Sequence, residues 1–178
     1  MKAQGRWAAW GLGLGWAVAT AGLASTPEPP LDEAQLRAAL VLRLAQYTQW
    51  PEVPEAGFTL CVAGLAQGEP ALQALSGRQV GGRPVRVLSL ESARDALSQC
   101  QVLVLGHGEA ASLRRWMAPA SGAPVLVVGT SPAALRAGVC IALISEPQGM
   151  AFSVNHGELR RRGLSVAAPV LRLAREVR

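Results

Sequence analysis

Positions 36–51 read LRAALVLRLAQYTQWP, and positions 58–63 follow with FTLCVA. In the first run, large apolar and aromatic side chains recur every three or four residues, at Leu36, Leu40, Leu44 and Tyr47. This spacing predicts a helix with one buried face. Proline disfavours helical geometry at the residue before it, so Pro51 is expected to end this helix. The second run is almost entirely apolar and suits a buried strand. The stretch therefore predicts a helix, a sharp stop and a strand.

A capping box marks the start of this helix. Asp32 can accept a hydrogen bond from the backbone N–H of Gln35, and the Gln35 side chain can reach back to the N–H of Asp32. The helix is therefore expected to begin immediately after Asp32.

Strand-like and helix-like segments alternate along the rest of the chain. The strand-like runs lie at 58–63, 84–88, 101–105, 125–128, 140–144 and 151–155. The helix-like segments lie at 71–75, 92–97, 109–117, 132–136 and 158–177, with Pro169 as a candidate break. Apolar strands separated by helices favour a parallel sheet that is covered on both faces. The predicted fold class is α/β, with a mainly parallel, Rossmann-like central sheet of about five strands and helices on both faces.

The N-terminus has the pattern of an export signal. Lys2 and Arg6 precede an uncharged apolar run over 7–23, and small residues follow, which is typical of a secretory signal peptide. We therefore expect a signal peptide at 1–24, a proline-rich tether at 25–31 and a single domain at 32–178. Cleavage after Ala21 and an uncleaved membrane anchor remain the alternatives.

Export would set both the compartment and the charge of the mature chain. The signal holds two of the 17 basic residues and none of the 12 acidic ones, so cleavage lowers the net charge from +5 to +3. The expected location is periplasmic, which excludes nucleic acid as a partner. Hydrophobic residues make up 50% of the chain, which is ample for one core.

Several pieces of the chain, taken in order, resemble the YfiR family of periplasmic regulators. They are residues 40–51 with 58–64, a glycine-rich connector at 75–85, a cysteine-bearing strand at 100–105, a late strand at 152–155 and a closing helix opened by 163–165. The resemblance implies a non-catalytic repressor that binds the periplasmic sensing domain of an inner-membrane diguanylate cyclase and lowers cyclic di-GMP synthesis. It also implies that an outer-membrane OmpA-like lipoprotein sequesters the regulator and relieves repression. The chain departs from the family pattern at 149–151 and 165–168, which bears on partner specificity, and a homodimer is left open.

The three cysteines have different predicted states. Cys61 and Cys100 lie at the end of one predicted strand and the start of another, in a compartment where thiols oxidise. We expect them to form a disulfide bond that staples the fold. Cys140 is left unpaired, either as a buried inert thiol or as a cross-subunit or redox-reactive thiol.

The most enzyme-like pattern is GHGEAA at 106–111, which follows a predicted strand and opens a predicted helix. A dinucleotide-binding loop also needs an acidic residue about 20 positions further on, but none lies between Glu109 and Glu146. The glycines are therefore interpreted as a tight turn. The second hypothesis for function is a small-ligand sensor or solute-binding module for another membrane receptor, and it would use Gly106, His107 and Gly108 as a ligand-binding loop.

No cofactor, metal or catalytic activity is expected from the sequence. A zinc site needs three or four ligands. Neither His107 nor His156 is spaced with other potential ligands in the way that such a site requires. The sequence also contains no G-x-S-x-G motif that would mark a nucleophilic serine.

The candidate partner-binding residues are Arg43, Trp50, Arg160, Arg161 and Arg162. Arg43 falls almost on the apolar stripe of the first helix, so it lies at the rim of that stripe or contacts a partner. Trp50 locks the helix onto the sheet or lies on a binding face. The three consecutive arginines form a solvated helix end or contact an acidic partner or anionic lipid.

Overall fold

Helices and strands alternate from Glu33 to the end of the chain. The computed structural model describes residues 32–178 apart from 53, 54, 56, 66–68, 95–98 and 120, so the predicted signal peptide and tether lie outside the described residues. Within this part of the chain the helices are α1 (Glu33–Gln46), α2 (Pro70–Gln73), α3 (Ala110–Met117), α4 (Pro132–Ala137), α5 (His156–Arg161) and α6 (Ala168–Leu173). The strands are β1 (Thr48–Gln49), β2 (Phe58–Ala63), β3 (Gln79–Val80), β4 (Arg83–Ser89), β5 (Val102–Leu105), β6 (Leu126–Gly129), β7 (Ile141–Glu146), β8 (Gly149–Val154), β9 (Ser165–Val166) and β10 (Glu176–Val177).

The central sheet has eight strands in the order β10-β8-β7-β6-β5-β2-β4-β3. The five neighbours β4, β2, β5, β6 and β7 all pair in parallel, which confirms the predicted mainly parallel sheet. The predicted strand at 151–155 is β8, which pairs antiparallel with β7, and the sheet is wider than predicted because the short strands β3 and β10 extend its two edges. The two-residue strands β3 and β10 are too short to carry a periodic pattern.

The helices lie on both faces of this sheet. Strands β2, β5 and β6 are buried at every position, which requires cover on both sides. The chain runs from β2 outward to β4 in one direction and from β5 through β6 to β7 in the other. Parallel crossovers are right-handed, so α2 lies on one face while α3 and α4 lie on the opposite face. Helix α1 packs against α2, and α3 packs against α4.

The first helix begins as the sequence predicts, but its buried face is shifted. The Asp32 Oδ1 atom accepts a hydrogen bond from the Gln35 N–H at 2.7 Å, and the Asp32 N–H donates to Gln35 Oε1 at 3.0 Å, which confirms the capping box. The buried residues are Ala38, Val41, Leu42, Leu44 and Ala45, whereas Tyr47 is 49% exposed. Helix α1 ends at Gln46, before Pro51, because Tyr47 caps it and Thr48 and Gln49 form β1 and pair with β9.

The C-terminal region differs from the single helix predicted over 158–177. Helix α5 ends at Arg161, and Gly163 follows with a φ of +68°, a conformation that glycine adopts without cost. Residues 165 and 166 then form β9, and Pro169 lies in the first turn of α6 instead of breaking one long helix. Of the helix predicted over 92–97, residues 93 and 94 form a turn, and 95–97 lie outside the described residues.

Candidate functional site

A disulfide bond joins Cys61 of β2 to Cys100, which lies two residues before β5, as the sequence predicts. The Cα atoms are 5.8 Å apart, and both residues are buried. Because β2 and β5 are the neighbours from which the chain runs outward in opposite directions, the bond fixes the centre of the sheet. Its role is structural.

The third cysteine lies at the start of β7 and is fully buried and unpaired. Burial raises the pKa of the Cys140 thiol to about 11, so the thiol is protonated at neutral pH. Its Sγ atom lies 3.9 Å from the carbonyl oxygen of Val125. A protonated thiol inside the core is a poor nucleophile, as expected for the inert alternative.

The glycine loop predicted as a ligand site lies at the carboxyl ends of β2 and β5, where parallel sheets bind ligands. Side chains of the protein pack closely there. A Cβ atom on Gly106 would lie 2.6 Å from the carbonyl oxygen of Gly64 and would also meet Leu65, while a Cβ atom on Gly64 would overlap the His107 ring. Gly106 and Gly64 are therefore required by the close approach of the two loops, which supports the turn interpretation.

His107 leaves one polar atom without a partner in this loop. Its ring stacks on Trp116 with the ring centroids 5.7 Å apart and an angle of 27° between the planes. Its Nε2 atom is buried and has no hydrogen-bond partner among the described residues. Gly108 is exposed and has open space around its Cα atom. The ligand-loop residues thus lie together, with the imidazole enclosed between glycine and tryptophan.

Trp50 packs against the sheet at the start of β2. Its ring meets Phe58 edge to face with 5.1 Å between the ring centroids, and its Nε1–H donates to the carbonyl oxygen of Gln101 at 3.3 Å. The side chain is half-buried against the core. These contacts agree with the alternative in which Trp50 locks the first helix onto the sheet. They leave only part of the indole accessible.

The three consecutive arginines do not form one exposed patch. Arg160 and Arg161 are exposed, whereas the Arg162 side chain is only 1% exposed. The Arg162 Nε–H donates to Glu158 Oε1 at 2.7 Å, and the same carboxylate binds Arg161. A buried guanidinium needs such a partner, and this burial removes Arg162 from the candidate partner surface.

A groove with a volume of about 580 Å³ lies between α1 and α2. Its floor is mostly alanine and leucine from both helices, including Ala38, Ala39, Leu42, Ala74 and Leu75. Arg43 lines the groove, and its Nη1–H donates to Gln46 Oε1 at 3.2 Å. Sequence reasoning missed this groove, although the alanines at 34, 38 and 39 on one helix and at 71 and 74 on the next were its signal.

Helix α2, which forms the second wall of the groove, is held against α1 by an ion pair. Glu69, directly before α2, accepts a hydrogen bond from Arg37 of α1 at 2.6 Å. Burial raises the pKa of Glu69 above its usual value, with the Arg37 charge acting in the opposite direction. Glu69 also has a positive φ of 38°, which is unusual for a residue with a side chain. The pair connects the two helices at the end of the groove near Asp32.

Within the described residues, no group of three or more His, Cys, Asp or Glu side chains could hold a metal ion. No helix in this part of the chain is both long and apolar enough to cross a membrane.

The fold and the disulfide bond together define the class of protein: an α/β domain built on a mainly parallel sheet and cross-linked by one disulfide. The sequence profile of the YfiR/HmsC-like family matches residues 34–175, so the chain belongs to that family. Membership suggests a periplasmic regulator of diguanylate cyclase signalling. A search of curated proteins finds no match.

Solved structures support the fold. The chain is similar to the ABC domain from Streptococcus pneumonia solved in complex with L-Trp, with a TM-score of 0.56 and 10% identity over 82% of this chain and 60% of that one. It is also similar to a conserved domain protein from Vibrio cholerae, with a TM-score of 0.53 and 12% identity over 83% of this chain and 61% of that one. The chain therefore spans about three fifths of each, and at these identities the likeness concerns the fold alone.

Proposed function

We propose that this protein is a non-catalytic periplasmic regulator that binds the sensing domain of an inner-membrane diguanylate cyclase and represses cyclic di-GMP synthesis. The observation that carries the proposal is the family match over residues 34–175, nearly the whole of the described chain. The buried thiol and the tightly packed glycine loop are consistent with a protein that acts through its surface. The export signal predicted at 1–24 agrees with a periplasmic site of action.

The first test is the cellular level of cyclic di-GMP in the native host with and without this gene. Deletion should raise the level, and the full gene on a plasmid should lower it again. A copy without residues 1–24 is the matched control, because a regulator confined to the cytoplasm cannot reach a periplasmic domain. An unchanged level on deletion, or full rescue by the control, would contradict the proposal.

We further propose that repression ends when an outer-membrane OmpA-like lipoprotein sequesters the regulator. Raising the level of that lipoprotein should raise cyclic di-GMP only in cells that carry this gene. An equal rise in the deletion strain would show that the lipoprotein acts by another route.

A second candidate function is a small-ligand sensor, and one observation favours it. The His107 Nε2 atom is buried and has no hydrogen-bond partner within the described part of the chain, and it lies at the edge of the sheet where parallel α/β proteins bind ligands. A metabolite that binds there should raise the melting temperature of wild-type protein. It should not affect His107→Phe, which keeps a ring beside Trp116 but lacks the nitrogen. Equal shifts in both proteins would place the ligand elsewhere.

A further inference from the structure

The groove between α1 and α2 has the dimensions of a helix-binding site. Helix α1 has 14 residues, which at a rise of about 1.5 Å per residue gives a groove wall about 21 Å long. Four helical turns of a partner fit this length. Alanines on the floor lack the bulk that would keep a second helix at a distance, so the partner backbone can approach closely.

The charges along the groove are unequal at its two ends. Arg43 and Arg78 lie at the end near Gln46, whose amide donates to the carbonyl oxygen of Gln79 at 3.0 Å. Both arginines are exposed, and neither has a carboxylate within 4.0 Å among the described residues. Asp32 lies at the opposite end, where its carboxylate caps α1. The groove therefore pairs an apolar floor with a positive end.

We propose that this groove binds an amphipathic helix of a protein partner, with apolar side chains on the alanine floor and carboxylates beside Arg43 and Arg78. This mode, in which one face of a helix fills a groove, is common in peptide recognition. The inference rests on the proposed function, so the partner is the membrane diguanylate cyclase.

The charges also set the direction of the bound helix. Acidic residues are favoured in the first turn of a helix, where the backbone N–H groups are unpaired. With that first turn beside Arg43 and Arg78, the partner helix runs antiparallel to α1. The two helix dipoles then oppose each other, and Asp32 faces the C-terminal end of the partner, where basic side chains are favoured.

Three substitutions test the groove, and the two on α1 each have a matched control on an exposed part of another helix. Ala39→Trp fills the exposed floor, and Ala111→Trp makes the same change on α3 outside the groove. Arg43→Glu reverses a charge in the last turn of α1, and Arg136→Glu does so in the last turn of α4. Arg78→Glu tests the other cation and leaves both helices unchanged, since Arg78 lies in neither.

Binding is measured between the exported protein and the full-length cyclase in lipid nanodiscs. We expect Ala39→Trp to weaken affinity more than tenfold at every salt concentration, because it removes the space for the partner. Arg43→Glu and Arg78→Glu should each slow association about tenfold at low salt, with a smaller effect as salt rises. The two controls should bind like wild type, and all five variants should keep the wild-type circular dichroism spectrum.

The outcomes separate this inference from the proposed function. If wild type does not bind the cyclase, both fail. If wild type binds and the groove variants bind as the controls do, the proposed function stands and the groove inference is overturned. A wild-type dimer in sedimentation that becomes monomeric on Ala39→Trp would assign the groove to a second copy of the chain and would also overturn it.

Discussion

Removing the Cys61–Cys100 disulfide should lower the free energy of unfolding by about 4 kcal/mol. The two residues are 39 positions apart in sequence. In the chain-entropy description, closing a loop of that length removes about 13 cal/mol/K from the unfolded chain, which is about 4 kcal/mol at 25 °C. For a domain of this size, such a loss lowers the melting temperature by roughly 8–16 °C.

The measurement is guanidinium unfolding of the oxidised protein with and without reductant. The Cys61→Ala/Cys100→Ala double variant is the control, because reductant should leave its midpoint unchanged. A thiol count in denaturant should rise from one to three when the wild type is reduced, since Cys140 is the one cysteine outside the bond. A loss below about 1 kcal/mol, with three thiols counted, would refute the entropic argument.

Three further predictions concern single residues. The Cys140 thiol, with a pKa raised by burial to about 11, should react with iodoacetamide at pH 8 at least a hundredfold more slowly in native protein than in denaturant, as followed by mass spectrometry. Burial raises the pKa of Glu69, so its contribution to stability is present below the usual carboxyl pKa and is lost as pH rises through the folded value. The melting temperature of Glu69→Gln relative to that of wild type should therefore increase as the pH rises above the usual carboxyl pKa. Gly106→Ala should lower the free energy of unfolding by about 1–3 kcal/mol in a denaturant titration, because the new Cβ would lie 2.6 Å from the Gly64 carbonyl oxygen.

Each of these predictions has an internal control. Gly108→Ala adds the same methyl group where no atom lies within 4 Å, so equal losses at both glycines would exclude a packing cause. Equal alkylation rates in native and denatured protein would place Cys140 at the surface. A pH-independent difference between Glu69→Gln and wild type would mean that folding leaves that carboxyl unperturbed.

The sequence predicted the period of α1 better than its orientation. Four apolar positions at helical spacing were expected to face inward, but the buried face is centred on Val41, Leu44 and Ala45. The difference depends on a contact that is distant in sequence: Thr48 and Gln49 leave the helix to pair with β9. Tyr47 then becomes the C-terminal cap and is exposed. Local spacing cannot show where a helix is interrupted by a distant strand.

The five parallel strands could be predicted because each buried strand carries its own apolar run. The short strands β1, β3, β9 and β10 could not, because two residues hold no period and their pairing depends on the rest of the fold. Arg162 illustrates the same limit at a candidate site. Its partner Glu158 lies four residues earlier, a spacing visible in the sequence, but its burial depends on how α5 packs.

The disulfide and the groove are linked through the chain order. The loop closed by Cys61 and Cys100 contains α2, which forms one wall of the groove, and Arg78, one of the two arginines that line it. Helix α1, the other wall, lies outside that loop and is held by its own buried face. Reduction should therefore loosen the α2 wall more than β5, β6 and β7, which lie outside the closed loop. Binding through the groove should then weaken under reducing conditions in which the amides of β6 are still protected from hydrogen exchange.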